Sequence, residues 1–167
     1  TVLPVTIDTT GPSAVAPTPD MTAATDTGVS NSDNNTANPK PSFAVGSLPD
    51  GVSGITLYIT PTGASAPVAV AANYDPVTGT VTPNAALPDG SYDVTVAYVD
   101  AAGNAGTPGT ALSIVVDTTA PTTPVAPDLQ ATSDTGSSST DNTTSDTTPT
   151  FAVPTGQANV ILLVDGA

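Results

Sequence analysis

The residues with most capacity for chemistry are aspartates and asparagines that recur in two loops. "TDTGVSNSDNNTANPKPSF" occupies positions 25–43, and a near copy, "SDTGSSSTDNTTSDTTPTF", occupies positions 133–151. The copies align Asp26 with Asp134, Asp33 with Asp141, Asn34 with Asn142 and Phe43 with Phe151. A second set of oxygen donors, Asp8, Asp50, Asp100, Asn104 and Asp117, lies near the ends of apolar runs. Clustered carboxylates repel one another, and with Lys40 as the only base they cannot be relieved by salt bridges. A hard divalent cation would relieve them. Ca²⁺ takes six to eight oxygens from Asp, Asn, main-chain carbonyls and water in flexible geometry, which suits loops better than the strict octahedron of Mg²⁺. Asp keeps its carboxylate close to the turn backbone, where carbonyls come into range. The competing reading is plain solvation, because "DTG" and "DN" are ordinary turn dipeptides and the spacing is not that of an EF-hand.

Composition narrows the alternatives. The 167 residues carry a net charge of −14, with 15 acidic residues, 18 prolines, 14 glycines and no cysteine. Every acidic residue is Asp, and His and Arg are absent. Such a chain cannot neutralise phosphates, which excludes nucleic acid and anionic membrane surfaces as partners. No apolar run is long enough to cross a bilayer. Without His or Cys, zinc and copper sites are not expected. With no Glu and no phosphate-cradling loop either, the chain does not read as an enzyme. Lys40 precedes Pro41, which leaves trypsin-like proteases no usable site and suits an extracellular setting. The sequence reads as an excerpt of a longer polypeptide, so the lack of a signal peptide says nothing about export.

The elements that must position these residues are strands. Tyr92, Val94, Val96 and Tyr98 fall on one face of a period-two run; so do Leu112, Ile114 and Val116, Ile55, Leu57 and Ile59, and Phe43 and Val45. The expected strands lie near residues 20–26, 41–46, 54–60, 66–72, 76–82, 91–99 and 110–117. Seven short strands in about a hundred residues predict an all-β, immunoglobulin-like Greek-key sandwich. The turn "LPDGSY" delivers Tyr92 to a tyrosine-corner position, its hydroxyl reaching main chain near residues 87–89.

The sandwich is repeated. "TVLPVTIDTTGP" at the N-terminus matches "TALSIVVDTTAP" at positions 110–121, and with the acidic loops this gives a spacing of about 108–109 residues. The expected domains are 1–9, the last strand of a preceding repeat; 10–117, a complete repeat; and 118–167, the start of a following repeat, too short to close a core. In this topology Asp26, Asp33 and Asn34 should approach Asp117 at one end. Asp100, Asn104 and Asp50 should approach the linker after Asp8 at the other. Each junction would then collect oxygens with no cation among them.

The segments "VDTTAPTTPVAPDLQATSDTGSSSTDNTTSDTTPTF" and "LPDGSYDVTVAYVDAAGN" resemble the tandem bacterial immunoglobulin-like repeats of giant secreted adhesins, the biofilm-associated and repeats-in-toxin (RTX) type surface proteins. The resemblance covers nearly the whole chain. It implies extender domains at the bacterial cell surface that serve cell adhesion, bind calcium at and near domain junctions, and stiffen a long stalk. By motif it implies Asp26, Asp33, Asn34, Asp100, Asn104 and Asp117 as Ca²⁺ ligands, with Asp8, Asp134, Asp141 and Asn142 equivalent at flanking junctions.

Three functions fit these features. The first is a structural spacer whose partners are neighbouring repeats and calcium, each repeat adding on the order of 40 Å. The second is a sugar- or protein-binding module, for which Tyr58 is the one aromatic expected on an outward face. The third is a filament subunit, in which the strand from Thr1 to Asp8 is donated to an incomplete domain of another copy.

Overall fold

The computed structural model describes residues 2–153 and 160–163. The chain forms two compact units, Thr1–Thr119 and Ala120–Ala167. In the first unit, nine strands make two sheets: β1 (Asp20–Met21), β2 (Asn35–Thr36), β3 (Phe43–Ala44), β4 (Gly54–Pro61), β5 (Ala69–Val70), β6 (Ala72–Asp75), β7 (Thr80–Pro83), β8 (Gly90–Val99) and β9 (Leu112–Val116). One sheet has the order β1-β3-β7-β6 and the other β2-β9-β8-β4-β5. This is an immunoglobulin-like sandwich, all-β as its alternating pattern requires.

The alternation sets the core. Phe43, Leu57, Val81, Val94, Val96, Ile114 and Val116 are almost wholly buried, joined by Ile59, Tyr92 and Tyr98. These side chains face one another across the two sheets, and their burial is the main stabilising term. The longest pairing, β4 with β8, runs antiparallel from Gly54↔Val99 to Pro61↔Tyr92. At the start of β8 the Tyr92 hydroxyl donates to the Pro88 carbonyl at 2.8 Å, so the tyrosine corner is formed.

Three details differ from the expected seven strands. The acidic loop contains an extra strand, β2, which pairs in parallel with β9 through Asn35↔Val115 and Thr36↔Val116. The run expected at 66–72 is two strands on different sheets: β5 pairs with β4, the chain crosses over at Ala71, and β6 pairs with β7. Residues 76–79, expected to start a strand, form the β6–β7 turn instead. There Asp75 accepts from the Val77 N–H and the Thr78 hydroxyl, while Gly79 takes a φ of +65°.

The second unit repeats the beginning of the first. β10 (Asp128–Leu129) pairs with β11 (Phe151–Ala152) in the register Leu129↔Phe151, equivalent to Met21↔Phe43 between β1 and β3. Leu129 is buried, but Phe151 is only half-buried where Phe43 is fully covered. An open apolar hollow of about 560 Å³ lies beside it, lined by Val125, Val153 and Leu162 among others. Residues 154–159 and 164–167 of this unit lie outside the described residues.

Candidate metal sites and linker contacts

The acidic loops are ordered by their own polar groups. In the first, the Asn34 N–H donates to Asp26 Oδ2 at 3.0 Å, and Gly28 N–H to the Asn35 carbonyl at 3.2 Å. The Thr36 hydroxyl reaches the Thr25 carbonyl and accepts from Asn38 N–H at 2.9 Å. Asp33 accepts from Asn35 N–H at 3.1 Å, an Asx turn that helps hold Asn34 at a φ of +60°, which Asn tolerates better than most residues. The second loop repeats each bond: Asn142 N–H to Asp134 Oδ2 at 3.2 Å, Gly136 N–H to the Thr143 carbonyl at 2.9 Å, Thr144 hydroxyl to the Ser133 carbonyl, and Thr143 N–H to Asp141 at 3.0 Å. Asn142 has a φ of +57°. Two different sequences thus build one structure, because the positions they share carry these bonds.

The result is a buried carboxylate in each loop. Asp26 is 2 % exposed and Asp134 4 %. In both, Oδ2 is bonded while the buried Oδ1 has no hydrogen-bond partner. Leaving such an oxygen without a donor or a cation is costly. The same orphan in two copies is a feature of the motif. The donor set is oxygen-only, and a hard cation such as Ca²⁺ fits it. Asp26 or Asp134 would be the charged ligand, with carbonyls and water making up the shell.

The other expected ligands are placed differently. Asp33, Asp141 and Asp117 are exposed, and each caps a turn; Asp117 does so by accepting from Thr119 N–H at 3.0 Å. The loop does reach the end of β9, but through main chain: Val115 N–H donates to the Asn34 carbonyl and Asp117 N–H to the Thr36 carbonyl, both at 2.9 Å. Among the described residues no three acidic side chains gather in metal-holding range.

Asp100 and Asn104 form a second centre. Asp100 accepts from Ala102 N–H at 2.8 Å, and from the Asn104 N–H and side-chain amide at 2.9 Å each. The Asn104 amide, first among these, holds the Asp100 carboxyl below its ordinary range. The same amide donates to the Asp8 carbonyl at 3.1 Å, tying the incoming segment to the β8–β9 loop. Asp8 in turn caps Thr10 N–H at 3.0 Å, as Asp117 caps Thr119. Close packing secures this approach: a Cβ on Gly11 would lie 2.3 Å from the Ala105 carbonyl oxygen. Asp50 is exposed in the β3–β4 loop.

One residue escaped the sequence reading. Asp89 accepts from the Thr118 hydroxyl at 2.7 Å, the Thr118 N–H at 2.9 Å and the Thr119 hydroxyl at 2.7 Å. These bonds, the Thr118 hydroxyl's first, lower its pKa. The pairing Gly90↔Val116 carries the signal, since it sets residue 89 beside the segment that follows β9. The residues entering and leaving the sandwich are therefore each held by a polar side chain, Asn104 at one end and Asp89 at the other.

No curated protein matches the sequence. The bacterial Ig-like domain family model matches twice, over residues 13–118 and over residues 119–166. The sandwich of the first unit, the equivalent β1–β3 and β10–β11 pairs, the duplicated acidic loops and this double match place the chain in the bacterial Ig-like domain family.

Proposed function

We propose that the chain is a non-catalytic extender segment of a bacterial surface adhesin, stiffened by calcium and serving to project a more distal adhesive domain. The observation that carries this reading is the buried, unpartnered Oδ1 of Asp26, repeated at Asp134. It favours an oxygen-seeking cation inside each acidic loop. The linker contacts support the mechanical half of the proposal. Asn104 holds the Asp8 carbonyl and Asp89 holds Thr118 and Thr119, so chain entry and exit are fixed to the sandwich body. Asp100, Asn104, Asp8 and Asp117 are further candidate ligands at the two ends of the repeat. Residues 1–9 then serve as the last strand of a preceding repeat and 118–167 as the start of the next.

A calcium titration of the metal-free protein tests this. Added calcium raises the melting temperature by several degrees and lowers protease nicking between residues 118 and 150. Equal stability in chelator and in millimolar calcium, where weak extracellular sites respond, removes the calcium half of the proposal.

A second reading has one observation in its favour. Leu3, Val5 and Ile7 are 83 %, 73 % and 85 % exposed, although their counterparts in β9 are covered, Leu112 in part and Ile114 and Val116 almost wholly. Donated to another copy, this segment would make a filament by strand addition. A photocrosslinker attached at Leu3→Cys that captures residues 120–153 of a second copy would favour it over the extender.

A further inference from the structure

The two acidic loops are copies in main chain but not in charge. Loop 25–43 carries Asp26, Asp33 and Lys40, a net −1, whereas loop 133–151 carries Asp134, Asp141 and Asp146, a net −3. The two changes are Asn38 to Asp146 and Lys40 to Thr148 at equivalent positions.

The turn cap survives the first change. Asn38 Oδ1 accepts from Lys40 N–H at 2.9 Å, and Asp146 Oδ1 accepts from Thr148 N–H at 2.9 Å. What the aspartate adds is its other oxygen. Asp146 Oδ2 accepts from the Ser133 hydroxyl at 3.2 Å, and Ser133 adjoins the buried Asp134. In the first loop the equivalent Thr25 hydroxyl makes its bonds to the Thr22 and Ser42 carbonyls and to the Thr22 hydroxyl. A second carboxylate is thus bonded to the residue preceding the buried aspartate in one loop and absent from the other. The first loop instead holds the ammonium of Lys40, which donates to the Asn84 carbonyl at 2.7 Å.

We propose that the loop around Asp134 takes up a divalent cation of the calcium type before the loop around Asp26, with Asp146 and the loss of the lysine setting the order. This rests on the calcium reading above and adds a ranking to it. The ligating Asp is the same in both loops, so the difference comes from the neighbouring charges. A change of two unit charges in the loop that holds a divalent ion shifts its midpoint on the order of tenfold.

The test is a calcium chloride titration of the full chain, following the backbone amide signals of Asn34 and Asn142, each of which donates to its loop's buried carboxylate. The Asn142 signal moves first, at roughly tenfold lower calcium. Asp146→Asn moves its midpoint up. Asn38→Asp with Lys40→Thr moves the Asn34 midpoint down, which keeps the test valid if Asp146→Asn loosens its own loop. Coincident midpoints, or Asn34 moving first, overturn the ranking and leave calcium binding intact. If neither amide moves, calcium binding itself fails and the ranking falls with it.

Discussion

The main-chain N–H of Asn34 donates to Oδ2 of Asp26 across eight residues, and Asn142 makes the same bond to Asp134. One carboxylate oxygen therefore organises each loop, and its twin is buried without a partner.

Substitutions at Asp26 separate these two roles. Asp26→Ala removes the acceptor for Asn34 and lowers stability in chelator by about 1–3 kcal/mol. Asp26→Asn keeps an acceptor but removes the charge, so its stability in chelator falls less and the calcium-dependent increment of the first unit disappears. Thermal melts of both variants with and without calcium check this.

Tyr92→Phe removes the hydroxyl that reaches the Pro88 carbonyl and leaves the buried ring in place. The expected loss is about 1 kcal/mol, or a drop in Tm of roughly 4 °C for a domain of this size. Differential scanning calorimetry reads it directly.

The Asp89 contacts respond to acid. Hydrogen bonds from Thr118 and Thr119 lower its pKa below the ordinary 3.8, so the ionised form is favoured in the folded state. That stabilisation is present above the unfolded value and is lost as pH falls through the depressed folded value. Hydrogen exchange at Thr118 N–H, corrected for intrinsic rate, accelerates relative to the β8 amides below about pH 3.8. Asp89→Ala shows the fast exchange at neutral pH.

Gly11→Ala places a methyl group against the Ala105 carbonyl and pushes residues 8–12 away from the β8–β9 loop. The bond from Asn104 to the Asp8 carbonyl breaks while the core stays unchanged. Amide relaxation measurements should show faster motion at residues 8–12 with unaltered signals from β4 and β8.

The apolar alternation made the sandwich legible because strands half-buried in a core must repeat every two residues. Tyr92, Val94, Val96 and Tyr98 all lie where that rule puts them. The same rule fails where strands are short or polar. β2 contains only Asn35 and Thr36, and it is a strand because β9 lies beside it. The stretch from Val68 to Ala72 is uniformly small and apolar, so nothing in its pattern marks the crossover between sheets at Ala71. The acidic loops read as cation sites or as solvated turns, and neither reading contained their internal ordering, because composition carries no record of hydrogen-bond closure. Burial of Asp26 follows from a network of threonine hydroxyls and main-chain amides that no single residue announces. Asp89 needed the β8–β9 register, which turn chemistry alone does not supply.

The parallel pairing of Asn35 and Thr36 with Val115 and Val116 has a mechanical consequence. Tension applied between the entering segment near Pro12 and the departing segment at Asp117 would run along this ladder rather than across it. The bonds from Val115 to Asn34 and from Asp117 to Thr36 would then be strained together, instead of opening one after another like a zip. A loop that looked like slack in the sequence would be the part of the domain that resists being drawn out.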